Sequence, residues 1–527
     1  MSIQSATQTL TRTIHVAEGV YAPGHLGELT RVIPFELVDA VLAETGRVQR
    51  RLRQLPSRVG VYLVLAMGVF TQVGLGTVWR KLVAALDGIA LPTPSEKALR
   101  DLRARVGPAP LKGLFEVVAG PLAQPHTPGV SYRRWRTVAF DGCASLRVPD
   151  RVGLTGWLDK IRTGWGMPGY PTIMLMCLVE TGTRGLLGAA FGPRRAGERA
   201  YARKLLDLLS PDMLVLCDRG FDGDKLLNAM AGTGAQVLAR VRNTRRPPVD
   251  IPLPDGSYLA RVEGRLWRVI QADIRLTGHD GTQLGDTYTL LCTLTDHRRD
   301  PATELVKLYH ERWEIESAYY ALRHTICHGR VLRSTTRTGI EQELWALLCV
   351  YQALRILMVE ATETVPGSDP DRASFSTALH TAQTTITNAE HITDHTHQPG
   401  PIGRAVLAHQ LPPRRARYST RKVKSPISRY HTSKHIPPIN TTITNVDITI
   451  HQPATPPATP PTTGNPLPAV LHLLRSTPGQ PWHARDIAHA LSRCLTSLNS
   501  FRVQLSQWAH KGLIHKTGPA TYTTPPP

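Results

Sequence analysis

The chain predicts an α/β protein built on a mixed sheet flanked by helices, and three observations carry that expectation. From Thr137 the sequence gives short apolar runs, TVAF (137–140), TIMLMCLVE (172–180) and GLLGAAFG (185–192), which read as three successive strands. A helical stretch (197–209), the run MLVLC (213–217), a second helix near Asp224 to Ala231 and the run QVLARV (236–241) complete the order β-β-β-α-β-α-β. Helical periodicity comes before this block, and an alternating β-rich stretch follows it. The order matches the ribonuclease-H-like mixed sheet, in which the first and fourth strands lie side by side at the centre.

Length and charge narrow the class. At 527 residues the chain has room for roughly three to four domains, so disulfide-stapled miniature scaffolds are excluded. The 62 Lys+Arg against 41 Asp+Glu give a net charge of +21, which favours a polyanionic partner, nucleic acid before an anionic membrane surface. Seven cysteines stand singly without a CxxC pair, as expected in a reducing compartment. The N-terminus lacks a signal pattern, and the longest apolar run, Val59 to Phe70, is short of the roughly 20 residues that span a bilayer. The expectation is a protein without a membrane partner, in the bacterial cytoplasm and associated with the nucleoid.

Residues 1–125 read as a helical N-terminal DNA-binding domain. Ile33-Pro34 opens an apolar-periodic stretch, and Val59 to Phe70 is too continuously apolar for a surface helix. Pro94-Ser95-Glu96 starts a helix carrying Arg100, Arg103 and Arg105, either a DNA contact or a solvated face. Residues 130–390 form the expected catalytic domain, with a β-rich insertion at 242–300 marked by alternation and by Asp255-Gly256 and Asp280-Gly281 turns. Helix returns from Thr303 to about Glu363, with a weaker helix from Ser374 to Thr385. Residues 391–466 are a basic segment and a Pro/Thr-rich linker. Between 401 and 436 stand nine Lys/Arg and no Asp or Glu, which predicts an extended, self-repelling stretch. Residues 467–527 read as three helices and a hairpin, a winged helix-turn-helix or else a small protein-interaction module.

The chemistry rests on carboxylates. Asp141 follows TVAF and Asp218 follows MLVLC, so both leave the same end of neighbouring central strands. Two clustered carboxylates repel unless a cation or proton lies between them, and a Mg²⁺ site needs hard oxygen ligands open to phosphate. A single Asp after a strand is ordinarily a turn residue; two in this strand order point to metal. A third carboxylate lies in YHERWEIESAYYALR, where helical spacing places Tyr309, Arg312, Glu316 and Arg323 on one stripe. Taken alone, Arg312 and Glu316 are an ordinary i,i+4 surface pair. His391, His395 and His397 have metal-ligand spacing but sit in a polar, cysteine-free stretch.

FDGCASLRVPD (140–150), DRGF (218–221) and the Tyr-x2-Arg-x3-Glu-x6-Arg run from Tyr309 together resemble the three signature blocks of the D-D-E transposases of the insertion sequence 4 family, over roughly residues 20–435. That resemblance implies a DNA transposase whose Asp141, Asp218 and Glu316 bind two divalent cations, Mg²⁺ with Mn²⁺ as substitute. It implies that Tyr309, Arg312 and Arg323 contact DNA phosphates, and that the enzyme acts on double-stranded DNA as a homodimer. Arg323 stands where the family has Lys, and Cys143 where it usually has Thr. Trp267 is the available aromatic of the insertion for a base turned out of the duplex, or else a core residue. The basic run, with Arg415, Arg421, Lys422 and Lys424, resembles the family's cationic end and would contact the DNA backbone. Arg502 and Gln504 are candidate groove contacts of the C-terminal unit. A nuclease of the same fold that cuts without joining, and a non-catalytic DNA-binding regulator, are the alternatives.

Overall fold

The computed structural model describes residues 25–524 apart from 52–53, 87–90, 161–168, 312–315, 392–398, 413–416, 420–439, 454–466, 477–480 and 492–497. The expected strands form where continuous apolar runs can be buried on both faces. They are β1 (Trp135–Arg147), β2 (Thr172–Glu180), β3 (Leu186–Pro193), β4 (Met213–Cys217) and β5 (Gln236–Val241). Their order is β3-β2-β1-β4-β5; β4 runs parallel to β1 and to β5, while β2 is antiparallel to β1 and β3. This is the ribonuclease-H-like arrangement.

The insertion extends the same sheet. Strands β6 (Tyr258–Val262), β7 (Arg265–Gly278) and β8 (Gln283–Cys292) form a meander whose last strand pairs antiparallel with β5. Two strands within residues 391–466 were not expected from sequence, and one of them, Arg417–Ser419, pairs antiparallel with the other. β9 (Asn440–Ile450) pairs antiparallel with β7, so a segment beyond the basic run closes the outer edge of the insertion.

Helices cover both faces. On one side lie α1 (Phe35–Glu44), α2 (Ser57–Val69), α3 (Leu75–Val83), α4 (Glu96–Val106) and α5 (Ala109–Val118). α2 is buried almost throughout, as its all-round apolar sequence requires. A short α6 (Val152–Leu158) follows β1. On the opposite face α7 (Glu198–Arg203) and α8 (Asp224–Gly232) pack over Val138, Phe140, Val215 and Val237. The region from Thr303 departs from regular α-helix after α9 (Ala302–Glu311) and α10 (Glu316–Tyr320): a π-helical turn (Ala321–Ile326) follows, and a non-helical stretch precedes α11 (Arg337–Glu363). α11 is long and apolar enough to cross a membrane, yet most of it is buried inside this fold. With α12 (Phe375–Thr387) and α13 (Pro401–Ala408) it shares one apolar core with α1 to α5. The helix α13 corrects the expectation that residues from 401 are extended. Apolar Ile402 and Val406 repeat at helical spacing and are fully buried.

Arg103 also differs from a DNA-facing residue. Its guanidinium turns inward, donating to Gln342 Oε1 (3.1 Å) and Ser334 Oγ (2.9 Å) on and beside α11. At the other end of the chain, α14 (Leu467–Ser476), β10 (Trp482–His483), α15 (Ala484–Ala490), α16 (Leu498–His510), β11 (His515–Gly518) and β12 (Thr521–Thr523) have a separate small core, with sheet order β10-β12-β11.

Candidate active site at the fork of the sheet

The parallel ladder between β1 and β4 runs from Arg136↔Met213 to Ala139↔Leu216 and then stops. β1 continues to pair with β2, through Asp141↔Cys177 as far as Arg147↔Thr172. Asp141 therefore lies inside a long strand rather than after a short one, while Asp218 directly follows β4. Each stands two residues past the last matched pair. On adjoining strands about 4.8 Å apart, these are equivalent positions at a fork, the kind of crevice where open α/β sheets bind ligands.

Side-chain alternation sets the direction. Ala139, Cys143, Leu214 and Leu216 face one apolar cluster, and Val138, Phe140, Val215 and Cys217 face the other. Asp141 has the parity of Ala139, and Asp218, still extended at φ −86°, ψ 178°, has the parity of Leu216. Both carboxylates are partly buried. Asp141 Oδ1 accepts from the backbone N–H of Gly142 (2.9 Å); Asp218 Oδ1 accepts from that of Gly220 (2.7 Å), capping the turn Arg219–Phe221.

The third carboxylate's helix is docked on the same side. Ala318 and Tyr319 of α10 belong to the apolar cluster that holds Ala139 and Leu216. The Tyr319 hydroxyl donates to the backbone carbonyl of Asp141, which fastens α10 to β1 at that residue. Burial pushes the Tyr319 hydroxyl well above its usual pKa, and the nearby Cys177 and Asp141 add to the shift, so it stays a donor. Glu316 opens α10, but its side chain lies outside the described residues. Among the described residues no group of three or more His, Cys, Asp or Glu stands ready to hold a metal ion.

The expected stripe is corrected in two places. Tyr309 is buried, its ring edge-on to Tyr288 with centroids 5.5 Å apart, so its hydroxyl does not face solvent and a phosphate contact is not available to it in this arrangement. Arg323 falls in the π-helical turn, where the 100° step of an α-helix no longer applies, so its seven-residue spacing from Glu316 does not place it on the same stripe. Its side chain is partly exposed. Arg312, Arg415, Arg421, Lys422, Lys424, His395 and His397 lie outside the described residues. Trp267 is a core residue, fully buried, with its indole N–H on Asn228 Oδ1 (3.1 Å). In the C-terminal unit Gln504 is exposed and Arg502 half-buried.

Sequence reasoning missed two residues. Tyr319 was legible as the residue one helical turn beyond Glu316. Glu198, the first residue of α7, carried no signal: only folding brings its carboxylate beside Gly142 and Gly220.

Comparison with known proteins follows this geometry. Residues 23–116 match the family described as insertion element 4 transposase N-terminal, and residues 147–353 match the transposase DDE domain. The two matches together span more than half the chain; the second holds Asp218 and Glu316 and begins just beyond Asp141. The transposase InsG for insertion sequence element IS4 of Escherichia coli K12 is 29% identical over 350 residues, 65% of this chain and 78% of that protein. The putative transposase InsZ of the same strain is 26% identical over 197 residues, 37% of this chain and 64% of its own length. A cryo-EM structure of piggyBac transposase in a synaptic complex with hairpin DNA aligns over 73% of this chain and 85% of its own, at 11% identity and a TM-score of 0.36.

Proposed function

Because the chain belongs to the DDE transposases of the insertion element 4 family, we propose that Asp141, Asp218 and Glu316 are its catalytic carboxylates, cutting DNA at element ends and joining the freed 3′-hydroxyls to target DNA. The observation that carries this reading is the fork: Asp141 and Asp218 hold equivalent positions on adjoining parallel strands, and the helix that begins with Glu316 is tied to the Asp141 backbone. Carboxylate oxygens are hard donors, which fits Mg²⁺, with Mn²⁺ able to substitute. Bound divalent cations would supply Lewis-acid polarisation of the scissile phosphate and an activated water or 3′-hydroxyl.

The chain's own residues do the rest. Asp141 and Asp218 hold negative charge at the strand ends, and their backbone hydrogen bonds fix where that charge points. The Tyr319 hydroxyl keeps α10 at a set distance from β1, so the third carboxylate's helix cannot drift. Most of the rate would then come from positioning and charge neutralisation, without a covalent enzyme intermediate.

DNA is the partner that the +21 charge supports. Arg312, Arg323, Arg415, Arg421, Lys422 and Lys424 would contact its phosphates, and two element ends call for a homodimer on DNA. The division into residues 1–125, 130–390, 391–466 and 467–527 belongs to this reading, as does association with the nucleoid. The helix and strand order of residues 467–523 supports a winged helix, with α16 as the helix that enters the major groove and exposed Gln504 facing the bases.

The test is strand transfer of a labelled element end in Mg²⁺ by the full chain and by Asp141→Asn. Joined product from the former and none from the latter is the expected result. Cut ends that are never joined would instead support a nuclease, and undiminished cleavage by the variant would overturn the catalytic assignment.

A further inference from the structure

The catalytic carboxylates reach the fork from one face of the sheet; a fourth acidic group reaches it from the other. Glu198 opens α7, which packs through Tyr201 and Ala202 on the face opposite to Ala139 and Leu216. Its Oε1 lies 3.0 Å from the position that a Cβ on Gly142 would occupy, and its Oε2 lies 2.9 Å from the corresponding position on Gly220. The Oδ1 of Asp218 lies 2.9 Å from that same Gly220 position. One carboxylate thus spans the gap where β1 and β4 part, touching the backbone next to Asp141 and the loop next to Asp218.

The two glycines are what make the room. Each directly or nearly follows a catalytic Asp, and any side chain on either would occupy the space of the Glu198 head group. The next residue strengthens the link: Arg199 Nε donates to the Gly220 carbonyl (3.0 Å), so the first turn of α7 grips the Asp218 loop through two successive side chains.

We propose that Glu198 is a positioning residue of the phosphoryl-transfer site, setting the spacing of the Asp141 and Asp218 strand ends and adding negative charge from the sheet face opposite α10. This rests on the reading of Asp141 and Asp218 as cation ligands. A carboxylate packed against the backbone that carries the ligands holds that backbone in place and adds negative charge favouring a divalent cation, and removal of a supporting group around a metal site typically costs about ten- to a hundredfold in metal binding.

The experiment is Mn²⁺ titration of the full chain by calorimetry without DNA, together with melting temperatures with and without Mn²⁺. Glu198→Gln is expected to weaken Mn²⁺ binding about tenfold or more, with the metal-free melting temperature reporting any separate loss of stability. Gly142→Ala, which displaces the carboxylate without altering charge, should weaken binding in the same direction, and combined with Glu198→Gln should add little further loss. Mn²⁺ affinity within twofold of the parent in Glu198→Gln overturns the proposal, whether or not its metal-free melting temperature falls. Asp218→Asn separates the two readings: if it too binds Mn²⁺ normally, the metal site itself is wrong; if it alone loses binding, only the role of Glu198 is.

Discussion

In the half of the sheet made by β6 to β9, Arg268 is completely buried, and each part of its guanidinium is answered. It donates to Ser257 Oγ (2.8 Å) and to the carbonyls of Asp300 (2.6 Å) and Leu294 (3.3 Å), and pairs with Asp255. Within this half, Asp286 on β8 is likewise paired, accepting two 2.9 Å bonds from Arg240 of the neighbouring strand β5, whose guanidinium lies over the Tyr288 ring. In the half made by β1 to β5, Asp218 is partly buried and, among the described residues, forms no ion pair. Charge in the insertion is neutralised within the protein, as burial requires. Asp218, by contrast, carries its charge without a cationic partner among the described residues, as a group that binds a cation would.

The largest expected effect breaks that contrast at the fork. Asp218→Asn should lower DNA cleavage by on the order of 10³-fold, the scale of losing one group that stabilises developing charge. Its melting temperature in metal-free buffer should hold or rise; a clear fall would mean that Asp218 is a structural residue like Asp255. In the insertion the expectation reverses. Arg268→Met strips Asp255 of its partner and should cost about 3–5 kcal/mol in denaturant unfolding, with cleavage at low temperature retained. Loss of cleavage without loss of stability would put Arg268 in the catalytic machinery.

A buried titratable group in the helical layer extends the comparison to pH. His25 accepts from the Gly27 N–H at Nδ1 (3.2 Å), and its Nε2 lies 3.1 Å from the Leu82 carbonyl, so the neutral ring satisfies both partners. Burial drives its pKa from 6.5 down to about 4, with the Leu82 contact opposing the shift. Between those values the unfolded chain takes up a proton that the folded chain refuses. The contribution to stability is full above pH 6.5 and falls by about 3 kcal/mol as pH drops to 4. Equilibrium unfolding across this range should show the slope, and His25→Gln should flatten it.

The smallest effect is at the hinge between helix and strand. Tyr319→Phe removes one buried hydrogen bond, a loss of about 1 kcal/mol in stability. If the bond positions α10, cleavage should fall more than that loss of folded protein explains; equal, proportionate changes would reduce Tyr319 to packing.

The same contrast explains what was legible in the sequence. Thr172–Glu180, Met213–Cys217 and Gln236–Val241 were read at their observed bounds, because strands buried on both faces are unbroken apolar runs between polar turns. Strand order put Asp141 and Asp218 on neighbouring central strands, though Asp141 lies inside its strand and not after it; their reading as cation ligands came from the family resemblance. β9 was not read: its sequence, NTTITNVDITI, is rich in Thr and Asn and partly exposed, and its partner β7 lies far back along the chain. The stripe from Tyr309 to Arg323 assumed an unbroken α-helix, and a π-helical turn is a tertiary compromise with little sequence signature. Glu198 was invisible because its meaning depends on two glycines distant from it.

β9 also gives the cationic stretch an unusual status. The stretch follows α13 and precedes β9, which is hydrogen-bonded to β7, and within it Arg417–Ser419 pairs antiparallel with β9, so the described parts of this region are tied to the body. Truncation ahead of residue 440 would therefore do more than delete positive charge. It would strip the outer rim of β7, a strand of 14 residues, and expose a row of backbone donors and acceptors able to recruit a neighbouring molecule. Self-association of such a fragment would report the missing strand, not a natural assembly.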